Sequence, residues 1–160
     1  MILYHGSYTE IIHPDYWYGR ARLDFGRGFY TTPHKKQAVK WTERFIRKYG
    51  KRVVSQYEFD EAKARENLRV LEFPKYSEEW LDFITLCRLG IGKTHEYDLI
   101  IGSVANDRVF DELEAYFNGY SDKVTAIEHL RYEEPNLQYC FSNQKAIDLY
   151  LHFIKSEVIL

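Results

Sequence analysis

Long apolar runs are missing from this chain of 160 residues, so the sequence predicts no membrane-spanning helix. Cysteine is nearly absent: Cys87 and Cys140 are the only two, far apart and without a CxxC or Cys/His ligand spacing. That excludes a zinc knuckle; one Cys87–Cys140 disulfide stays open, and reduced core thiols are the expectation. The six histidines show no HExxH spacing, which removes the common catalytic zinc motif, and no metal is expected. An excess of one charge is also lacking. Lys and Arg number 22 against 24 Asp and Glu, and the formal net charge is -2. The basic clusters, Arg20, Arg22 and Arg27 and then Lys35 and Lys36, are short, so bulk charge gives no reason to expect nonspecific nucleic-acid binding. The first residues, MILYHGSY, lack the charged and apolar regions of a signal peptide, and the expectation is a cytoplasmic protein.

What is abundant is aromatic: 14 Tyr, 10 Phe and 3 Trp. Part of this excess must be core. Tyr and Trp also carry a polar tip and a flat π face, which suits an aromatic-lined cleft. The length fits one domain over residues 1–160, and no repeat or low-complexity linker divides it.

Periodicity gives a mixed order of elements. Ile2 to His5 reads as a strand, followed by a long Pro-, Gly- and Tyr-rich loop from Ser7 to Arg27. Gly28 to Thr32 reads as a second strand. A helix over His34 to Tyr49 carries Ala38, Trp41, Phe45 and Tyr49 on one stripe, with Gly50 as its cap. Strands are expected over Val53 to Phe59, Leu68 to Phe73, Tyr97 to Ile101 and Leu137 to Phe141. Helices are expected from Ser77 through Cys87, over Asp107 to Phe117, over Lys123 to Leu130 and over Asn143 to Tyr150. The C-terminal apolar run should return to the sheet. Without a strict βαβ rhythm, this is an α+β domain with a mixed or antiparallel sheet.

Three tempting signals carry little. Asp24-Phe25-Gly26 matches a kinase tripeptide but no other kinase motif accompanies it. Gly26-Arg27-Gly28 lacks the third glycine of a dinucleotide fingerprint and precedes a strand. Gly92-Lys93-Thr94 is no phosphate-cradling loop, because Cys87 stands where the first glycine of that motif would be.

Three segments carry more chemistry. His5, at a strand end and followed by Gly6 and Ser7, can offer an imidazole to a ribose hydroxyl, with bare backbone at Gly6 open to a ligand. After Gly26 and Gly28, the side chains of Phe29 and Tyr30 point to opposite faces, one to core and one to a cleft, with Thr31 next in the strand. Trp41 follows eleven residues after Tyr30. A flat cationic ring between Tyr30 and Trp41 would gain on the order of 0.5–2 kcal/mol per face. Each residue also has a packing role open to it. Asp24 reads either as a ribose contact or Arg27 partner, or as a turn former. Arg20 and Arg22 read either as pyrophosphate ligands or as solvated surface. Asp107 reads either as a site carboxylate or, with Asn106, as a helix N-cap.

The succession Tyr4-His5-Gly6-Ser7, Gly28-Phe29-Tyr30-Thr31-Thr32 and Trp41 resembles the ADP-ribosyltransferase superfamily, in its diphtheria-toxin and poly(ADP-ribose) polymerase branch. Over nearly its full length the chain also resembles the bacterial family DUF3990, through His5 to Ser7, Pro14-Asp15, Asp24 to Tyr30, Tyr97 to Asp107 and Gln138 to Phe141.

The resemblance implies an ADP-ribosyltransferase-like fold around an NAD cleft with flanking helices. It implies NAD as substrate, with His5, Gly6, Ser7, Arg20, Asp24, Gly28, Tyr30, Thr31 and Trp41 around it. It further implies transfer of ADP-ribose to a macromolecule, a protein rather than a nucleic acid, in a toxin or accessory-effector setting with an antitoxin partner. One departure matters. The superfamily's glutamate falls at Gln138, an amide with no charge, which makes Asp107 the candidate replacement carboxylate beside the catalytic set His5, Tyr30 and Gln138. A non-catalytic NAD- or ADP-ribose-binding module is the alternative that this departure favours.

Overall fold

A computed structural model describes all residues, 1–160. Seven strands form two sheets. The first is antiparallel, with order β1 (Ile2–Ser7), β3 (Val53–Phe59), β7 (Leu151–Val158). The second has order β2 (Phe29–Thr31), β6 (Gln138–Phe141), β5 (Leu99–Gly102), β4 (Val70–Glu72), and only β4 and β5 run parallel. A backbone bridge joins the sheets: Tyr4 N–H donates to Thr32 O at 2.8 Å, and Thr32 N–H donates to Tyr4 O at 2.9 Å. The α+β expectation with mixed and antiparallel sheets is met.

Strand alternation explains the layering. In the second sheet Phe29, Tyr139, Phe141, Leu99 and Ile101 face the first sheet, and pack on Leu3, Tyr57, Phe59 and Leu151. The opposite face carries Ile100 and Cys140, which pack on Phe25, Trp80, Ile84, Leu113 and Leu130. Those last four come from α4 (Glu78–Arg88), α5 (Val109–Phe117) and α6 (Lys123–Leu130). Each fully buried Leu, Ile or Phe contributes roughly 1.5–3 kcal/mol, so this double-sided burial is what holds the second sheet central. The outer face of the first sheet is covered by α1 (Lys35–Thr42), whose approach requires Gly6: a Cβ there would sit 2.3 Å from Ala38 O.

Capping fixes several helix starts. Ser77 accepts from Trp80 N–H at 3.2 Å, Asp122 from Thr125 N–H at 2.9 Å, and Asn143 from Ala146 N–H at 2.9 Å ahead of α7 (Gln144–Tyr150). Two expectations need correction. The helix drawn over His34 to Tyr49 is interrupted: a 3₁₀ turn at Glu43–Phe45 separates α1 from α2 (Ile46–Tyr49), which Gly50 closes at φ 63°. A helix missed from the sequence, α3 (Glu61–Asn67), follows β3 and is capped by Asp60. No helix is long and apolar enough to cross a membrane.

Candidate functional site

His5, Phe29 and Tyr30 lie where the two sheets meet. His5 faces inward from β1 and stacks on Phe29, ring centroids 4.4 Å apart. Its Nδ1 lies 2.6 Å from the carbonyl oxygen of Tyr30. That oxygen can only accept, so the partner assigns the proton to Nδ1 and leaves a lone pair on Nε2, which has no protein partner. Burial lowers the pKa of His5, outweighing the Tyr30 contact, and holds the ring neutral.

Phe29 is buried between the sheets, and Tyr30 turns to the other face, as alternation predicts. The Tyr30 hydroxyl donates to Gly26 O at 2.6 Å and accepts from Phe25 N–H at 3.0 Å, clamping the end of the long loop. Burial, with Cys140 and Asp24 nearby, raises the phenol's pKa well above its ordinary value, so it stays protonated.

Tyr30 pairs with Cys140 across β2 and β6, which puts Gln138, two residues away, on the same sheet face. Gln138 Nε2 donates to Asp24 Oδ2 at 2.9 Å and to Ser103 O at 3.3 Å. Asp24 is buried. Its Oδ1 takes Arg88 Nε at 3.0 Å and Nη2 at 2.7 Å, and its Oδ2 also takes Ala105 N–H at 3.0 Å. Asp24 therefore neither reaches a ribose nor orients Arg27. Its ion-pair partner is Arg88, and Arg27 donates instead to Trp17 O and Gly19 O.

Above Gln138 the wall comes from two loops and α1. Tyr76 Oη donates to Val104 O at 3.1 Å and accepts from Tyr132 N–H at 3.1 Å and Asn136 Nδ2 at 2.9 Å, zipping the segment after β5 to the one before β6. Gln37 of α1 holds Leu137 through both its N–H and its C=O, each at 3.1 Å. One turn further along α1, Trp41 is 38% exposed, and the Arg44 guanidinium lies 3.3 Å from its ring centroid. Core burial, open to Trp41 on the sequence, is therefore not its role. Burial lowers the Arg44 pKa; the charges of Asp107 and Tyr132 oppose that shift, and Arg20 adds to it. A shallow hollow of about 360 Å³, lined by Lys40, Arg131, Tyr132, Glu133 and Glu134, opens beside this cluster. A larger one of about 820 Å³, near Met1, Glu58 and His152, lies at the opposite end of β1 and contains none of the motif residues.

Several expectations change. Gly6 does not admit a ligand, because α1 backbone already fills its open side. Gly28 serves packing: a Cβ there would lie 2.3 Å from Cys140 Sγ. Thr31 is buried and donates to Tyr139 O at 3.3 Å, and Ser7 is buried at the end of β1. These four are framework rather than contact residues. Asp107 does not cap α5. Arg108 occupies that position, and Asn106 takes the Arg108 N–H, so Asp107 is exposed without a bonding partner. Arg20 is exposed and free of any ion pair.

A family model described as "Protein of unknown function (DUF3990)" matches residues 1–153. The chain belongs to the DUF3990 family. No curated protein and no solved structure matches it. In this DUF3990 chain, nothing in the sequence pointed to Arg88 beside Asp24 or to Tyr132 beside Arg44. Arg44 had one signal, its place three residues after Trp41 on a helical stretch.

Proposed function

We propose that this cleft binds NAD and transfers its ADP-ribose to a macromolecular acceptor, a protein by preference. The observation that carries the reading is the arrangement at the seam of the two sheets. Two acceptor atoms lack protein partners: His5 Nε2 on the Phe29 face of β2, and Gln138 Oε1 on the Tyr30 face. A ribose offers hydroxyl donors to such atoms. Trp41 already holds a flat delocalised cation, the Arg44 guanidinium, on its face, which is the kind of contact a nicotinamide ring makes.

In the reaction, the bond between the ribose anomeric carbon and the nicotinamide nitrogen breaks, and its electron pair neutralises the pyridinium. The acceptor's nucleophilic atom then attacks the anomeric carbon and gives up its proton. Asp107, an unpartnered carboxylate near Arg44 and Tyr132, is the residue suited to take that proton.

A second reading, an NAD- or ADP-ribose-binding module without transfer, is favoured by one observation. The carboxylate closest to Gln138 is Asp24, whose oxygens are all occupied and turned away from a ligand. One pair of measurements separates these readings and tests both. Millimolar NAD should raise the melting temperature by mass action under either reading. Release of free nicotinamide with labelling of an acceptor is expected only for transfer, and Asp107→Asn should abolish the labelling. No thermal shift with NAD would end both.

A further inference from the structure

Resting on the NAD reading, we propose that Asp24 is a positioning residue that makes Gln138 a hydrogen-bond acceptor only, so that the site selects a ligand hydroxyl at that point. The amide orientation follows from its partners. Asp24 Oδ2 and Ser103 O are both acceptors, at 2.9 Å and 3.3 Å from Nε2, so both amide hydrogens are spent on them. A flipped amide would set Oε1 against two oxygens. Four donor contacts converge on the Asp24 carboxylate, two from Arg88, one from Ala105 and one from Gln138. This fixes the carboxylate, and through it the amide. Only Oε1 remains without a protein partner, although the residue is 8% exposed.

The consequence is specificity. A hydroxyl donates to Oε1, whereas a ligand lacking a donor there leaves a buried acceptor unpaired. The arrangement also reverses what a glutamate would do at this place. Its ionised carboxylate would face Asp24 Oδ2 and Ser103 O, three acceptors with no proton among them. Protonated, the same carboxyl would reproduce the amide: its O–H would donate to Asp24 and its C=O would face the cleft.

Gln138→Glu is the test, read by urea unfolding and NAD calorimetry between about pH 5 and about pH 8. The introduced carboxyl is held protonated in the fold, with a folded pKa above its unfolded value. Stability relative to wild type is thus highest at acidic pH and falls as pH rises through the folded value. NAD affinity should match wild type at the acidic end and fall about tenfold or more below wild type by the alkaline end. In Asp24→Asn/Gln138→Glu the new amide can donate, and the pH dependence of stability should disappear. Gln138→Met should bind NAD and its 2′-deoxyribose analogue equally, where wild type prefers NAD by about tenfold. A Gln138→Glu protein whose stability is unchanged or rises with pH overturns the proposal, and so does a Gln138→Met protein that still discriminates. If Gln138→Glu folds at no pH, the Gln138→Met comparison decides. If no variant and no wild type binds NAD, the NAD reading fails, and the stability profile of Gln138→Glu still decides the role of Asp24.

Discussion

His5 Nδ1 and the Tyr30 carbonyl oxygen, 2.6 Å apart, tie the first strand of one sheet to the edge strand of the other. The contact fixes which ring nitrogen carries the proton and joins two residues that 25 positions separate. Because burial lowers the pKa of His5 from 6.5, the folded state favours the neutral ring. Its contribution to stability is therefore present above the unfolded value and lost as pH falls through the lowered folded value. Urea unfolding of wild type and His5→Phe below about pH 6.5 should show wild type losing stability faster. Parallel pH profiles would mean that His5 titrates freely.

Tyr30 does two jobs that substitutions can separate. Its hydroxyl bonds Gly26 O and Phe25 N–H, and its ring is the proposed ligand face. Tyr30→Phe should cost about 1–3 kcal/mol of stability, since it strands two backbone groups, yet keep most NAD affinity. Tyr30→Ala should lose both. Equal NAD affinity for wild type and a folded Tyr30→Ala would remove Tyr30 from the site.

Gly28 and Gly50 predict a contrast between crowding and backbone strain. A Cβ on Gly28 would meet Cys140 Sγ at 2.3 Å and Phe141 O at 2.8 Å, whereas one on Gly50 meets nothing within 4 Å but sits at φ 63°. Gly50→Ala should cost roughly 1–2 kcal/mol, the left-handed penalty alone. Gly28→Ala should cost more, about 3 kcal/mol, because a backbone oxygen cannot move aside as a side chain can. Denaturation midpoints compare the two directly, and equal losses would contradict the packing of β2 on β6.

What the sequence revealed follows physical range. Val53–Phe59 was legible from its alternation, and α4 from the Ser77 cap with Glu78 and Glu79 behind it. α3 was not, because it is short, buries only Ala64 and has no apolar stripe. The break at Glu43–Phe45 was hidden too, since the stripe Ala38, Trp41, Phe45 runs through it. His5, Tyr30 and Trp41 are singled out by local pattern, and Gln138 by the resemblance. The Asp24–Arg88 pair spans 64 positions, and the Gln138–Asp24 bond spans 114, with no periodicity to announce either. The glycines misled for the same reason: a glycine marks a close approach, and only the fold says whether a ligand or a helix makes it.

The seam between the sheets is the proposed NAD site. A crystal structure with NAD bound at millimolar concentration tests it most directly. The expected result is the nicotinamide ring between Tyr30 and Trp41, with Arg44 displaced from the Trp41 face and the nicotinamide ribose donating to Gln138 Oε1. NAD bound elsewhere, such as the hollow by Met1 and His152, or a cleft unchanged at saturating ligand, would contradict it.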